Sequence, residues 1–141
     1  MKHVTTNGWH LHPQLADDTH PVAHLALCEL RLMDDGNYPW LVLVPRITDA
    51  QELIDLDAAQ RHALTDEIDL AARTLRQLVR PDKLNVAALG NLVPQLHVHV
   101  IARYRTDPAW PAPVWGRVAA RPYSPEALVD RIASLQAALQ A

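Results

Sequence analysis

In the stretch NLVPQLHVHVIARY, residues 91 to 104, Gln95, His97 and His99 fall at strict alternation inside an otherwise apolar run. Two is the side-chain period of a β-strand, and Leu96, Val98 and Val100 are the residues a strand turns towards a core. The alternation predicts a strand over Gln95 to Tyr104 with Gln95, His97 and His99 on the opposite face. Three polar groups on a rigid, half-buried surface each need a partner or a use.

The rest of the chain supplies elements for that strand to pair with. VAHLALCELRLM, residues 22 to 33, predicts one strand, ended by the turn residues DDGNYP. WLVLVPR, residues 40 to 46, predicts a second, giving a β-hairpin. Asp49 with Glu52 suggests a capping box for a short helix, ELIDL. From near Asp57 to Arg80, Leu64, Ile68, Ala71, Leu75 and Leu78 form the stripe of a long helix that Pro81 stops. KLNVAALG, residues 83 to 90, resumes strand character. DPAWPAPVWG, residues 107 to 116, holds three prolines and two tryptophans and predicts an extended, irregular path whose tryptophans pack on the domain or a partner. The stretch SPEALVDRIASLQAALQ predicts a closing helix over about residues 124 to 140, with Ser124 as N-cap and Pro125 at the first position. The N-terminal NGWHLHPQLADDTHPV predicts an irregular segment with a short helix around Pro13 to Asp18. Hairpin, long helix, two strands and terminal helix favour an α+β antiparallel sheet over a parallel one.

At 141 residues the chain fits a single domain. A net charge of −3 without a Lys/Arg run argues against a nucleic-acid polymer as partner. A small phosphorylated ligand stays open, since a few placed donors hold a phosphate. No apolar run reaches membrane-spanning length, and MKHVTTNGWHLH lacks a signal-peptide core. The lone Cys28 excludes an intrachain disulfide, so a reducing cytoplasm is the expected compartment.

Three chemistries suit the paired histidines. They can be structural, satisfied by neighbours. They can bind metal, since His-x-His places two nitrogens on one side and a third ligand completes a zinc site; Gln95 is a poor ligand, though. His10, His12, His20 and His24, without a cysteine companion, read as a histidine-rich surface segment. Third, a neutral imidazole can attack phosphorus and split one displacement into two, provided its other nitrogen is held by a hydrogen bond. Asn91, Gln95 and local backbone N–H groups are candidate donors to the non-bridging oxygens. His24 and His62 read as solvated or structural, and Arg103 is a candidate for pairing with an acid.

QLHVHVI resembles the signature of the histidine triad (HIT) superfamily, in which three histidines alternate with apolar residues. PWLVLVPR resembles the family's strand ending in Pro and a basic residue, and Gly90-Asn91 stands where the family commonly has Gly-Gln. LNVAALGN, VPQLHVHVIAR and DPAWPAPVWG are most similar to a bacterial branch with Gln at the first triad position. The resemblance covers roughly residues 20 to 116.

The resemblance implies a HIT-like antiparallel sheet with the long helix and the C-terminal helix packed on it, paired as a homodimer. It implies hydrolysis or transfer at the α-phosphate of a nucleoside phosphate or dinucleoside polyphosphate, through a covalent nucleotidyl-histidine and without metal or cofactor. Carried over, the catalytic set is His97 as nucleophile, His99 at the phosphate and leaving group, and Gln95. Asn85, Gly90 and Asn91 would bind substrate.

Two departures stand out. Gln95 replaces the first histidine, and Thr48 occupies the place of a histidine that relatives often carry after the Pro-basic pair. Gln95 can orient His97 but cannot titrate. The alternatives are therefore a nucleotide-binding regulatory module with little turnover, or a His-x-His metal protein.

Overall fold

The structure is a computed structural model that describes residues 8–140; the readings made on MKHVTTN and on Ala141 lie outside the described residues. A short helix α1 (Pro13–Asp18) leads into strand β1 (Thr19–His24). Then come β2 (Cys28–Met33), β3 (Trp40–Pro45), the long helix α2 (Ala58–Val79), β4 (Lys83–Ala87), β5 (Val98–Arg103) and α3 (Pro125–Gln140). The strands form one antiparallel sheet in the order β1-β2-β3-β5-β4. It is the expected α+β architecture. Among the described residues no helix is long and apolar enough to cross a membrane.

Alternation along β3 and β5 sorts the side chains into two layers. Leu41, Leu43, Leu96, Val98, Val100 and Ala102 enter the core covered by α2 and α3. Trp40, Val42, Val44 and Ile101 enter a second cluster with Leu15, Tyr38, Val93, Ala109 and Val114 on the other face. Helix α2 runs where its stripe predicts. Asp57 caps it by accepting from the Gln60 N–H, and Leu64, Ala71 and Leu75 are buried. Ser124 caps α3 by accepting from the Ala127 N–H, and Leu135 is buried.

Three expectations change. The run from Val22 to Met33 is two strands, not one, folded back through Leu25, Ala26 and Leu27. No glycine or proline marks that turn. It is held from a distance: the buried Glu67 carboxylate, on α2, accepts from the Leu27 and Cys28 N–H groups at 2.8 and 2.9 Å. The short helix over ELIDL is a 3₁₀ turn, Leu53–Asp55, and the Asp55 carboxylate, rather than that of Asp49, accepts from the Gln51 and Glu52 N–H groups. The strand predicted from Gln95 begins only at Val98. Before it, the Leu96 N–H donates to the Ala50 carbonyl and the Gln95 carbonyl is taken by a side chain, so neither joins the ladder.

Candidate functional site

Strand β5 lies between β3 and β4, which pairs His99 with Val42 on one side and Ala87 on the other. His97 sits one residue before the strand. The two imidazoles share a face, with ring centroids 5.0 Å apart and planes at 74°. Gly90, between β4 and the triad segment, has φ of +74°, a left-handed turn that favours glycine.

Each ring has one nitrogen fixed by the protein. His97 Nδ1 lies 2.7 Å from the Gln95 carbonyl oxygen. A carbonyl only accepts, so Nδ1 carries the proton and Nε2 of the neutral ring holds the free lone pair. His99 is fixed the other way. The Trp40 Nε1–H donates to His99 Nδ1 at 2.9 Å, which leaves the neutral ring its proton on Nε2. Burial, and then the charge of neighbouring His97, pushes the His99 pKa down to about 4, so this ring is neutral at ordinary pH. One imidazole thus offers a lone pair and the other an N–H donor.

A cleft of about 410 Å³ opens over this pair, lined by Trp40, His97, His99 and Trp115 together with Leu15 and Asp18. That volume suits a small-molecule ligand. The walls are apolar and aromatic: Trp115 meets His99 edge to face at 5.1 Å between centroids and Trp40 at 5.7 Å. Gly90 and Asn91 line the same cleft. A second hollow of about 290 Å³, lined by Glu52, Ile54, Leu89 and Gly90 among others, meets the first at His97. The nucleophile candidate therefore borders two compartments.

The other sequence candidates fall differently. Asn85 lies on β4 opposite Ile101, but its Oδ1 accepts from Arg103 Nη1 at 2.8 Å and its side chain does not line the cleft. Arg103 finds its acid in Asp107, with Nε and Nη2 donating at 2.8 and 3.0 Å. Arg103 also donates to the Ala112 carbonyl, fastening the proline-rich loop that carries Trp115. The Gln95 carboxamide hydrogen-bonds neither His97 nor His99. It meets the main chain of His10 and His12, and Gln95 shares a pocket of about 280 Å³ with Thr48. His20 faces Asp34 at 3.3 Å and His24 faces Glu29 at 4.0 Å. Among the described residues no three or more His, Cys, Asp or Glu side chains gather as a metal site.

Sequence reasoning missed Asp18, Leu15 and Trp40 as cleft residues. The one available signal was Trp40, whose indole N–H, on a strand that buries, needs an acceptor.

A sequence profile of the HIT domain matches residues 14–106, more than half of the chain. The chain belongs to the HIT family. A crystal structure of a histidine triad protein from Bradyrhizobium japonicum is 46% identical and superposes with a TM-score of 0.91, covering 93% of this chain and 98% of that one. One from Marinobacter aquaeolei is 44% identical with the same TM-score of 0.91, covering 94% and 96%. The AP-4-A phosphorylase of Mycobacterium tuberculosis is 34% identical over 82 residues, covering 50% of this chain and 40% of that protein. The HIT chain described here thus spans well under half the length of that curated relative.

Proposed function

We propose that this HIT protein is a nucleotide hydrolase or nucleotidyl transferase that works through a covalent nucleotidyl-His97. The observation that carries the reading is the bond from His97 Nδ1–H to the Gln95 carbonyl, because it selects the neutral tautomer whose lone pair is on Nε2, on a residue that borders both clefts. Nε2 attacks the α-phosphorus of a nucleoside phosphate or dinucleoside polyphosphate. The bond to the leaving group breaks with its electron pair, and the ring, still protonated at Nδ1, becomes a cationic nucleotidyl-imidazole. The Gln95 carbonyl then accepts a charge-assisted bond, stronger than the one in the resting state. Water or another acceptor attacks phosphorus, and Nε2 recovers its lone pair.

His99 donates its Nε2–H to a phosphoryl oxygen, and being neutral it adds no second positive charge beside the cationic adduct. The aromatic cleft takes the nucleoside, Asp18 accepts from its hydroxyls, and Gly90 and Asn91 approach the phosphate. Asn85 acts at one remove, through Arg103 and the loop bearing Trp115. The molecule acts as one unit in the cytoplasm and pairs as a homodimer. The half-exposed Val86 on the outer strand β4, with the nearby Leu89 and the fully exposed Leu92, supports a second copy there. The QLHVHVI segment supports placing it in the bacterial branch with Gln at the first triad position.

Rapid quench after mixing with adenosine phosphoramidates and dinucleoside polyphosphates, followed by mass spectrometry, tests the reading. The expected result is a nucleotidyl adduct on His97 that is absent in His97→Ala. Tight nucleotide binding with neither adduct nor turnover would replace the enzyme with a binding module.

A further inference from the structure

The Gln95 carboxamide spends its hydrogen bonds on main chain rather than on either imidazole. Its Oε1 accepts from the His12 N–H at 2.8 Å, and its Nε2 donates to the His10 carbonyl at 2.8 Å. Residues two apart in an extended segment present these groups along one edge, so the carboxamide makes the two contacts that a neighbouring strand would make. His12 is the N-cap of α1, with its Nδ1 accepting from the Gln14 N–H at 3.0 Å. Two residues of that helix, Leu15 and Asp18, form part of the wall of the larger cleft. Meanwhile the main-chain carbonyl of the same Gln95 holds His97 Nδ1.

We propose that Gln95 is a positioning residue whose carboxamide clamps the His10–His12 main chain onto the triad segment, keeping the cleft wall and the aim of His97 in one register. A glutamine suits this use. Its donor and acceptor sit side by side on one planar group, whereas the two ring nitrogens of a histidine point in diverging directions. The clamp gives position 95 a task other than proton transfer, and its catalytic consequence rests on the reading of His97 as nucleophile.

Three variants separate the clamp from its alternatives. Gln95→Leu keeps the approximate size and removes both contacts. His12→Pro deletes only the N–H among the clamp's groups, and it fits the observed φ of −56°. His12→Asn, which keeps the N–H and a capping side chain, is its control. Hydrogen exchange at the His12 amide reads the clamp without any substrate. It is expected to quicken about tenfold or more in Gln95→Leu, given the usual worth of lost hydrogen bonds. Single-turnover adduct formation is expected to slow about tenfold in Gln95→Leu and in His12→Pro. In the double variant the loss is no larger than in Gln95→Leu alone, because His12→Pro deletes a contact that Gln95→Leu has already removed. Gln95→His is expected to slow the reaction as well, with no new ionisation in its pH profile. Unchanged exchange at His12 in Gln95→Leu would overturn the clamp, as would a faster Gln95→His enzyme with an added titration step. If the parent chain forms no adduct, the nucleophile reading fails, while the exchange measurement still decides whether the clamp exists.

Discussion

Replacing Trp40 by Phe removes one atom group with a defined task, the N–H that donates to His99 Nδ1 at 2.9 Å. Trp40 and His99 are both buried. The bond stabilises neutral His99 alone, since a protonated Nδ1 has no lone pair to offer. A net hydrogen bond in such a place is worth about 1 kcal/mol, so its loss tightens proton binding to His99 about fivefold. The smaller ring also lets water nearer, which acts in the same direction. In the parent protein burial, and then the charge of His97, hold the His99 pKa down at about 4 against an ordinary 6.5. The unfolded chain then takes up the proton first. Stability is full above pH 6.5 and is lost as pH falls towards 4, by about 3 kcal/mol from this one group. In Trp40→Phe that acid-side loss shrinks by about 1 kcal/mol, even though the variant is weaker at neutral pH for want of packing. Imidazole NMR titration, with the His99 signal identified by a His99→Gln variant, measures the pKa. Urea unfolding at pH 7 and at about pH 3.5, below the His99 pKa of both proteins, measures the linkage. A parent His99 that titrates near 6.5, or one unmoved in Trp40→Phe, refutes the claim that burial and the indole hold this ring neutral.

Asp107 offers a second pH test. Burial pushes its carboxyl up, but the Arg103 guanidinium and the N–H groups of Tyr104, Trp110 and Ala109 outweigh that and bring it down to about 2. Its contribution, about 2 kcal/mol, is present above pH 3.8 and is lost as pH falls through about 2. Asp107→Asn, which strands a buried guanidinium, is expected to cost about 3–5 kcal/mol at pH 7 and to abolish this acid step, both visible by urea unfolding. A third test concerns charge. Among the described residues neither cleft at His97 is lined by Lys or Arg, while Asp18 and Glu52 contribute carboxylates. Added phosphates gain no side-chain cation there, so AMP is expected to bind at least as tightly as ATP in magnesium-free calorimetry. ATP binding tenfold tighter would contradict that electrostatic account.

Much of this fold is visible in the sequence because it rests on local periodicity. The stripe from Leu64 to Leu78 and the caps at Asp57 and Ser124 place the helices, and the alternation at Leu96, Val98 and Val100 places the core face of β5. What stays hidden depends on contacts between distant residues. The turn at Leu25–Leu27 has no turn residue of its own and is held by Glu67, about forty positions on. Asp18, Trp40 and Trp115 meet at the cleft from three separate elements, and nothing in their spacing brings them together. Periodicity also overshot: it extended the strand back to Gln95, where the chain instead hands its polar groups to Ala50, His97 and the His10–His12 segment.

That overshoot bears on what a glutamine at position 95, two residues before His97, means. The sequence alone suggests that position 95 orients its neighbour through the side chain, so that Gln for His weakens the site. In the structure the orienting group is the backbone carbonyl of residue 95, which every amino acid carries. The ring that supplies the N–H donor is likewise fixed by an indole from β3 rather than by a third histidine. Neither tautomer therefore depends on the identity of the side chain at 95. The carboxamide at 95 can therefore meet the His10–His12 main chain while His97 and His99 still present one lone pair and one N–H to the same cleft.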